Sequence, residues 1–413
     1  MLTVSIERLL ADLDAFSAIG GDGRGGVTRL AFTEADQSAR RLFQDKLTAA
    51  GLAVRVDAVG NVFGRRVGRD NALPPVLLGS HLDSVPSGGR FDGPLGVLAA
   101  LEVVRMLEYA RAETRRPVEI ACFVAEESSR FGTATLGSKA VVGKLAPEML
   151  DRLRDPEGRT LAEVLRGCGF PPDRVEDARR RPGEYHAYLE LHLEQGAVLE
   201  HAGIPVGLVT GIAAPTRFRV TYTGRADHSG ATPMGLRRDA LVAGAELVLA
   251  VRRNVLAHGS PTSVGTVGVL RVQPGAMNVI PGQAILGIDL RDIDADAKRR
   301  IAKKVQVAAR RIARKWKQDV SVEILADESP VPLSERVRQV SRAACQACGV
   351  PFLELPSGAG HDAMYLAEIA ETGMIFVRCR EGISHNPAEF VESQDMVAGT
   401  TVLAETAVRL ADE

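Results

Sequence analysis

The sequence predicts an α/β protein: a mixed, mostly parallel sheet with helices on both faces, carrying a smaller inserted domain of βαββαβ order. Three observations lead there. The apolar runs "PPVLLGS" and "RPVEIACFVA" flank a helical stretch at residues 93–109. Strand–helix–strand order with nearly unbroken apolar strands implies parallel pairing under cover on both sides. From about Thr210 the pattern switches to alternating strands around two long helices, the split βαβ order of a ferredoxin-like unit. After Pro330 the helix–strand alternation returns, which marks the middle segment as an insertion. The expected division is residues 1–210 with 330–413 in one domain and residues 211–329 in the other.

Taken in order, residues 4–18 and 33–51 show helical apolar spacing, and the second stretch opens on Thr33 with Asp36 three residues on, as a capping box does. "LAVRVDAVGNVFGRRVG" alternates like a hairpin. The strand at "PPVLLGS", the helix at 93–109 and the strand at "RPVEIACFVA" follow, and "YLELHLEQG" alternates as another strand. In the insertion, "TRFRVTYTG", "TSVGTVGVLRV", "QAILGIDLRD" and "VSVEILA" read as strands, with helices at 239–257 and 295–318. The second of these helices carries ten Lys or Arg around an apolar stripe of Ile301, Val305, Ala308 and Ile312, so its charges read as a solvated face. A helix at 334–348 and a strand at "GMIFVRC" resume the larger domain.

Hydrophobic residues make up 45% of the 413, charged residues 25%, and the net charge is −1. That is the balance of a soluble globular protein, with no field to draw in nucleic acid or an anionic membrane. The longest apolar stretches are interrupted by Glu102 and Glu246 and are too short to span a bilayer. "MLTVSIERLLADLD" has no basic region followed by an apolar core. Five cysteines, an odd and sparse set, fit a reducing compartment, so a cytoplasmic protein is expected. Cys345 and Cys348 form a single C-x-x-C at a helix end and read as structural. "GDGRGG" at 21–26 has dinucleotide-motif spacing but follows a helix, and reads as a loop.

The residues that could carry chemistry gather at strand ends, where ligands bind in open α/β sheets. "GSHLDSVPSGGRFDG" puts His81 and Asp83 just past one strand and Asp92 just before the next helix. Imidazole and carboxylate are ligands of zinc and similar divalent ions. The H-x-D spacing suits an arrangement in which Asp83 holds the His81 ring by its other nitrogen. "FVAEESSRFG" ends the neighbouring strand in Glu126 and Glu127, two like charges that burial penalises. A cation resolves that conflict: Glu127 binds it, and Glu126 stays free to take a proton from water. His192 in "YLELHLEQG" and His385 in "CREGISHNPAEF" lie in similar contexts, as do His228 and His361. Each alone reads as a cap, loop or core residue. Together with Asp92 and Glu127 they read as a metal constellation, whereas His186, His201 and His258 read as surface or helix-end residues.

Six motifs, "GSHLDSVPSGGRFDGPLGV", "AEESSRFG", "ELHLEQG", "DHSGATPM", "SGAGHDA" and "GISHNPAE", resemble in order those of the amidase–carbamoylase branch of the di-zinc exopeptidase superfamily. The resemblance spans nearly the whole chain. The branch includes N-carbamoyl-L-amino acid hydrolases, β-ureidopropionases of the same fold, and allantoate and ureidoglycolate amidohydrolases. It implies a di-zinc exopeptidase-like catalytic domain and an inserted lid that also forms a homodimer. It implies two divalent ions per subunit, Zn or else Mn, Co or Ni. Asp92 would bridge them, with His81 and His192 as terminal ligands and Glu127 and His385 completing the second site. Glu126 would be the general base, with Asp83 behind His81. His228 would be the lid residue that reaches a partner's site and polarises the scissile carbonyl. Asn278 and Arg291 would bind the substrate carboxylate, with His361 in the loop over it and Gln195 also at the substrate. The implied reaction is hydrolysis of the ureido C–N bond of an N-carbamoyl-L-amino acid, or of allantoate or ureidoglycolate. An aminoacylase or dipeptidase is the other alternative, although peptidases usually have a carboxylate where this chain has His192. Ser128 stands where many carbamoylases have Gly, and "VRCREGISH" is closer to the allantoate type, so the ureido substrate stays open.

Overall fold

Every residue of the strands Val76–His81, Val118–Phe123 and Ala187–Leu193 is buried, as near-continuous apolar runs require when both faces of a sheet are covered. In chain order the main strands are Ala53–Val56 (β1), Val62–Arg66 (β2), Val76–His81 (β3), Val118–Phe123 (β4), Ala187–Leu193 (β5), Val206–Ile212 (β6), Ala214–Thr223 (β7), Val264–Gln273 (β8), Gln283–Asp292 (β9), Asp319–Asp327 (β10), Phe352–Ser357 (β11) and Glu371–Val377 (β12). The structure, a computed structural model, describes residues 2–413. It divides into two compact units. The first runs to Thr210 and resumes at Leu333–Leu355 and His361–Glu413; the second is Gly211–Pro332 with Pro356–Gly360.

In the first unit the sheet runs β1-β2-β4-β3-β5-β12-β6, with β11 also on β6. The four central strands β4, β3, β5 and β12 are parallel, and the hairpin β1–β2 and strand β6 flank them antiparallel. The carboxyl ends of the parallel strands therefore share one edge, at His81, Phe123, Leu193 and Val377. Helices Pro94–Tyr109 and Ser393–Asp412 contribute Leu95, Leu98, Val103, Val402 and Leu403 to the core that covers Leu78, Leu189 and Ile375. The helix Glu34–Ala49 has half of the capping box its sequence suggests: Thr33 accepts the Asp36 N–H, but the Asp36 carboxylate accepts the N–H of Phe32 and not that of Thr33. Between β4 and β5 lie three short helices, Leu136–Val141, Pro147–Arg152 and Leu161–Gly167, around a separate core of Leu136, Leu150, Leu161 and Val175. Their apolar periods are too short to read from sequence.

The second unit is a four-stranded antiparallel sheet in the order β10-β7-β9-β8. Helices Ala240–His258 and Ala295–Lys315 cover one face, burying Val220, Leu247, Leu286, Leu290, Ile301 and Val305. Strand β9 alternates accordingly, with Ala284, Leu286, Ile288 and Leu290 buried and Gln283, Ile285, Gly287, Asp289 and Arg291 only half-buried. The basic helix buries its expected stripe, with one departure: Lys298 is 3% exposed, and its ammonium bonds Asp327 and the Glu328 carbonyl. Among the described residues no helix is long and apolar enough to cross a membrane, and the five cysteines are free thiols.

Candidate metal and catalytic site

Strand β4 ends in a sharp turn. Buried Ala125 has φ 51°, a left-handed conformation that a residue with a Cβ adopts only at a cost. The turn aims the next two N–H groups at one carboxylate: Glu126 donates to Asp83 Oδ1 at 3.2 Å and Glu127 to Oδ2 at 2.9 Å. The expectation that Asp83 holds the His81 ring by its other nitrogen is met by the Asp83 backbone and not by this carboxylate. The ring is held instead by the Asp83 backbone carbonyl, 2.9 Å from Nδ1, while the nearest carboxylate oxygen is 3.9 Å away. On β5, His192 repeats the arrangement, with Nδ1 2.9 Å from the Leu193 carbonyl. A carbonyl only accepts, so each ring in its neutral form carries the proton on Nδ1 and turns a bare Nε2 toward the site.

Asp92 lies where these rings converge. Its Oδ1 is 3.0 Å from His192 Nε2 and 3.8 Å from His81 Nε2. Its Oδ2 accepts from Gln195 Nε2 at 2.8 Å and Ser384 Oγ at 2.7 Å, and is 3.3 Å from His385 Nε2. The next residue, Gly93, has φ 82°, and a Cβ there would lie 2.5 Å from His81 Nδ1. Gly93→Ala is therefore expected to displace the His81 ring and lower the bound divalent-cation content while the far-UV circular dichroism is kept. A variant with wild-type cation content would refute this placement.

His385, at φ 55° and half exposed, puts Nε2 3.3 Å from Glu127 Oε1 as well. Two groups of three donor atoms thus share Asp92: His81–Asp92–His192 and Asp92–Glu127–His385, each with its atoms within 4.8 Å of one another. This donor set fits divalent cations. A third group, Glu190–His192–His361, satisfies the same distances. Glu190 is fully buried and already accepts from Ser80 Oγ, Tyr188 OH and the Ala363 N–H, each at 3.1 Å, so it reads as support beneath His192. The His361 ring packs edge-on against His192 at 4.6 Å. Two contributors escaped the sequence reading. Glu389 accepts the N–H groups of Phe91 and Asp92 at 2.9 and 3.0 Å, and its other oxygen lies 2.9 Å from Ser384 Oγ, so it holds the Asp92 turn. Glu190 had a usable signal: in "YLELHL" it lies two residues before His192, on the same face of the strand.

The site's own charges are in conflict. Burial first, then the carboxylates of Asp362, Glu127 and Asp83, push Glu126 well above the usual carboxylate range. Burial opposes the charge on His192, but Asp92 outweighs it and lifts the imidazole to about 9. Hydrogen bonds to Asp92 and Glu127 lift His385 to about 10. Burial lowers His81 and, more strongly, His361. Because His192 and His385 hold protons at neutral pH and a metal binds only the bare nitrogen, cation affinity is expected to rise with pH between about 6 and 9. Calorimetric titration in buffers of different ionisation enthalpy should show proton release at neutral pH. An affinity independent of pH would exclude these two rings as ligands.

The remaining sequence candidates lie in the second unit. A short ladder pairs Asp227–His228 with Val279–Ile280, and the Ser229 N–H bonds the Asn278 carbonyl at 3.1 Å, so His228 and Asn278 are neighbours. His228 is exposed, and its Nδ1 accepts the N–H groups of Gly230 and Ala231, each at 3.1 Å. The neutral ring therefore carries its proton on Nε2 and presents a donor. Arg291, near the end of β9, donates to both oxygens of Asp289 at 3.2 Å and to the Gly358 carbonyl at 2.7 Å. It is thus already partnered, which its spacing alone did not indicate.

A family model described as peptidase family M20/M25/M40 matches residues 77–409. The chain is 45% identical over 405 residues to an N-carbamoyl-L-amino acid amidohydrolase of Geobacillus stearothermophilus, covering 98% of each. It is 38% identical over 416 residues to a ureidoglycolate hydrolase of Arabidopsis thaliana, covering 99% of this chain and 87% of that one. Among solved structures, an amidase of the hydantoinase/carbamoylase family from Burkholderia multivorans matches with a TM-score of 0.95 at 38% identity, over 100% of this chain and 99% of the other.

Proposed function

The chain belongs to peptidase family M20/M25/M40, and on that premise we propose that it is a metal-dependent amidohydrolase of ureido acids. It cleaves the ureido C–N bond of an N-carbamoyl-L-amino acid, or of a related acid such as ureidoglycolate or allantoate, and releases ammonia, carbon dioxide and the amino acid. The observation that carries the ureido reading is Gln195. Its Nε2 donates to the Asp92 carboxylate, which only accepts and so fixes the amide's orientation. Its Oε1 is left buried with no hydrogen-bond partner. A buried acceptor without a donor costs about 1–3 kcal/mol. The terminal NH2 of a ureido group supplies that donor, and the alkyl end of an N-acyl group does not.

His81, Asp92, His192, Glu127 and His385 would hold divalent cations, which would supply Lewis acidity toward water and the scissile carbonyl. The protein's groups do the rest. Glu126, in neither three-ligand group, takes a proton from the attacking water and returns it to the departing nitrogen; a carboxylate raised by burial suits both steps. His228 offers its Nε2–H to the developing oxyanion. Arg291, with Asn278, holds the substrate carboxylate through the Nη1 and Nη2 hydrogens that Asp289 and the Gly358 carbonyl leave free. A homodimer through the second unit is supported by β8, a ten-residue edge strand, and by the exposure of Leu249, Leu256 and Leu270.

The test is a panel assay on the cation-loaded protein: ammonia from carbamoyl amino acids, ureidoglycolate and allantoate, against amino acids from N-acetyl amino acids and dipeptides. Ammonia release that a chelator abolishes and added cation restores is the expected result. Cleavage of dipeptides without ammonia release from any ureide would overturn the reading. Leu256→Asp should lower the dimer fraction in sedimentation; a wild-type monomer at micromolar concentration would remove the dimer.

A further inference from the structure

The half-buried face of the second unit's sheet contains a hollow of about 460 Å3, lined among others by Val264, Gly268, Val269, Gly287 and Leu325. Two glycines make it. Strands β8 and β9 pair antiparallel, but the register shifts at Gly287/Ile288: Val269 faces Gly287 and Val267 faces Ile288. Gly268 is left over as the extra residue of a β-bulge. Neither glycine has a side chain to cover the sheet surface, and a Cβ built on Gly268 would meet nothing within 4 Å. The rim is apolar and unusually open for large side chains, with Val264 at 55%, Val269 at 42% and Leu325 at 47% exposure.

One end of the hollow is ionic. Asp289 accepts from Arg217 Nε at 3.1 Å and from Arg291 Nε and Nη2 at 3.2 Å. Two guanidinium groups share one carboxylate, so this end has one positive charge in excess. The neighbouring pair Arg219–Glu323 is balanced. The unmet charge suits a further carboxylate. On an α-amino acid the side chain leaves the same carbon as the carboxylate, so a carboxylate held at Arg291 puts the side chain within a few ångströms of the hollow.

We propose that this hollow receives the substrate's side chain and makes the enzyme selective for ureido acids with a large apolar side chain. The inference rests on the reading of Arg291 as the carboxylate-binding residue of a ureido-acid hydrolase. Away from its ionic end the hollow offers no polar side chain but Thr266, so the second ureido group of allantoate would find few partners there for the water it gives up. An apolar side chain loses nothing and gains contact, and a single methylene is worth roughly 10-fold or more in such a pocket.

The experiment compares kcat/KM of the cation-loaded full-length enzyme for the N-carbamoyl derivatives of glycine, alanine, leucine and phenylalanine, and for ureidoglycolate and allantoate. The expected order rises with apolar bulk and leaves the two polar ureides lowest. Gly268→Leu fills the hollow from a position with free space and should lower the phenylalanine-to-glycine ratio at least about 10-fold. Val269→Thr, which keeps the shape and adds a hydroxyl, should lower the same ratio without filling the space. Ratios unchanged in both variants, or a wild-type preference for allantoate or ureidoglycolate, would overturn the inference and leave the ureido-acid reading intact. No ammonia from any member of the panel would instead remove that reading.

Discussion

Glu126→Gln should keep its cations and lose turnover by about 100- to 10,000-fold, the usual contribution of a placed general base. The substitution is nearly isosteric, so packing around the side chain is preserved. The N–H that Asp83 accepts belongs to the Glu126 backbone and survives. Glu126 Oε2 is 3.8 Å from His81 Nε2, and the residue belongs to neither three-ligand group around Asp92, so the change takes no ligand away. It removes a carboxylate that can take a proton without giving up a cation. Metal analysis and steady-state kinetics on the same preparation separate the two effects. Full metal content with lost kcat is the expected result. Retained kcat would move the base elsewhere, and lost metal would make Glu126 a ligand.

Much of this site was legible in the sequence because its signals are local. The apolar runs of β3 and β4 are continuous and end in His81 and in Glu126–Glu127, so strand identity and site position come from the same few residues. The alternation in "YLELHL" places His192 on a strand. What escaped depends on contacts between segments far apart in the chain. Glu389 reaches the N–H groups of Phe91 and Asp92 from almost 300 residues away, and nothing in "NPAEF" announces it. Lys298 is one of ten basic residues on its helix, and only the position of Asp327 and the Glu328 carbonyl singles it out for burial. Which atom of Asp83 holds the His81 ring was hidden for a related reason. Sequence spacing shows which residues are near, and the φ of Ala125 decides which of their atoms meet.

Asp83→Asn distinguishes the two accounts of that residue. If the carboxylate steadied the His81 ring, its loss would act first on cation binding. In the observed geometry the ring is held by the Asp83 carbonyl, which asparagine keeps. The carboxylate instead joins the end of β3 to the turn after β4, one oxygen for each N–H of Glu126 and Glu127. Asparagine has one oxygen to accept and an NH2 group facing the other N–H, which leaves a buried donor unpaired at a cost of about 1–3 kcal/mol. The turn already holds Ala125 in a left-handed conformation, and Arg40 anchors the strand just before it through the Phe123 carbonyl at 2.8 Å. Strain and a lost acceptor together should let Glu126 shift, and a shift of about 1 Å at a reacting group costs on the order of 100-fold in rate. The expected variant therefore turns over about 100-fold more slowly while the His81–Asp92–His192 group keeps one cation per subunit at wild-type affinity. A variant that keeps its turnover while cation binding weakens would return the carboxylate to the His81 ring.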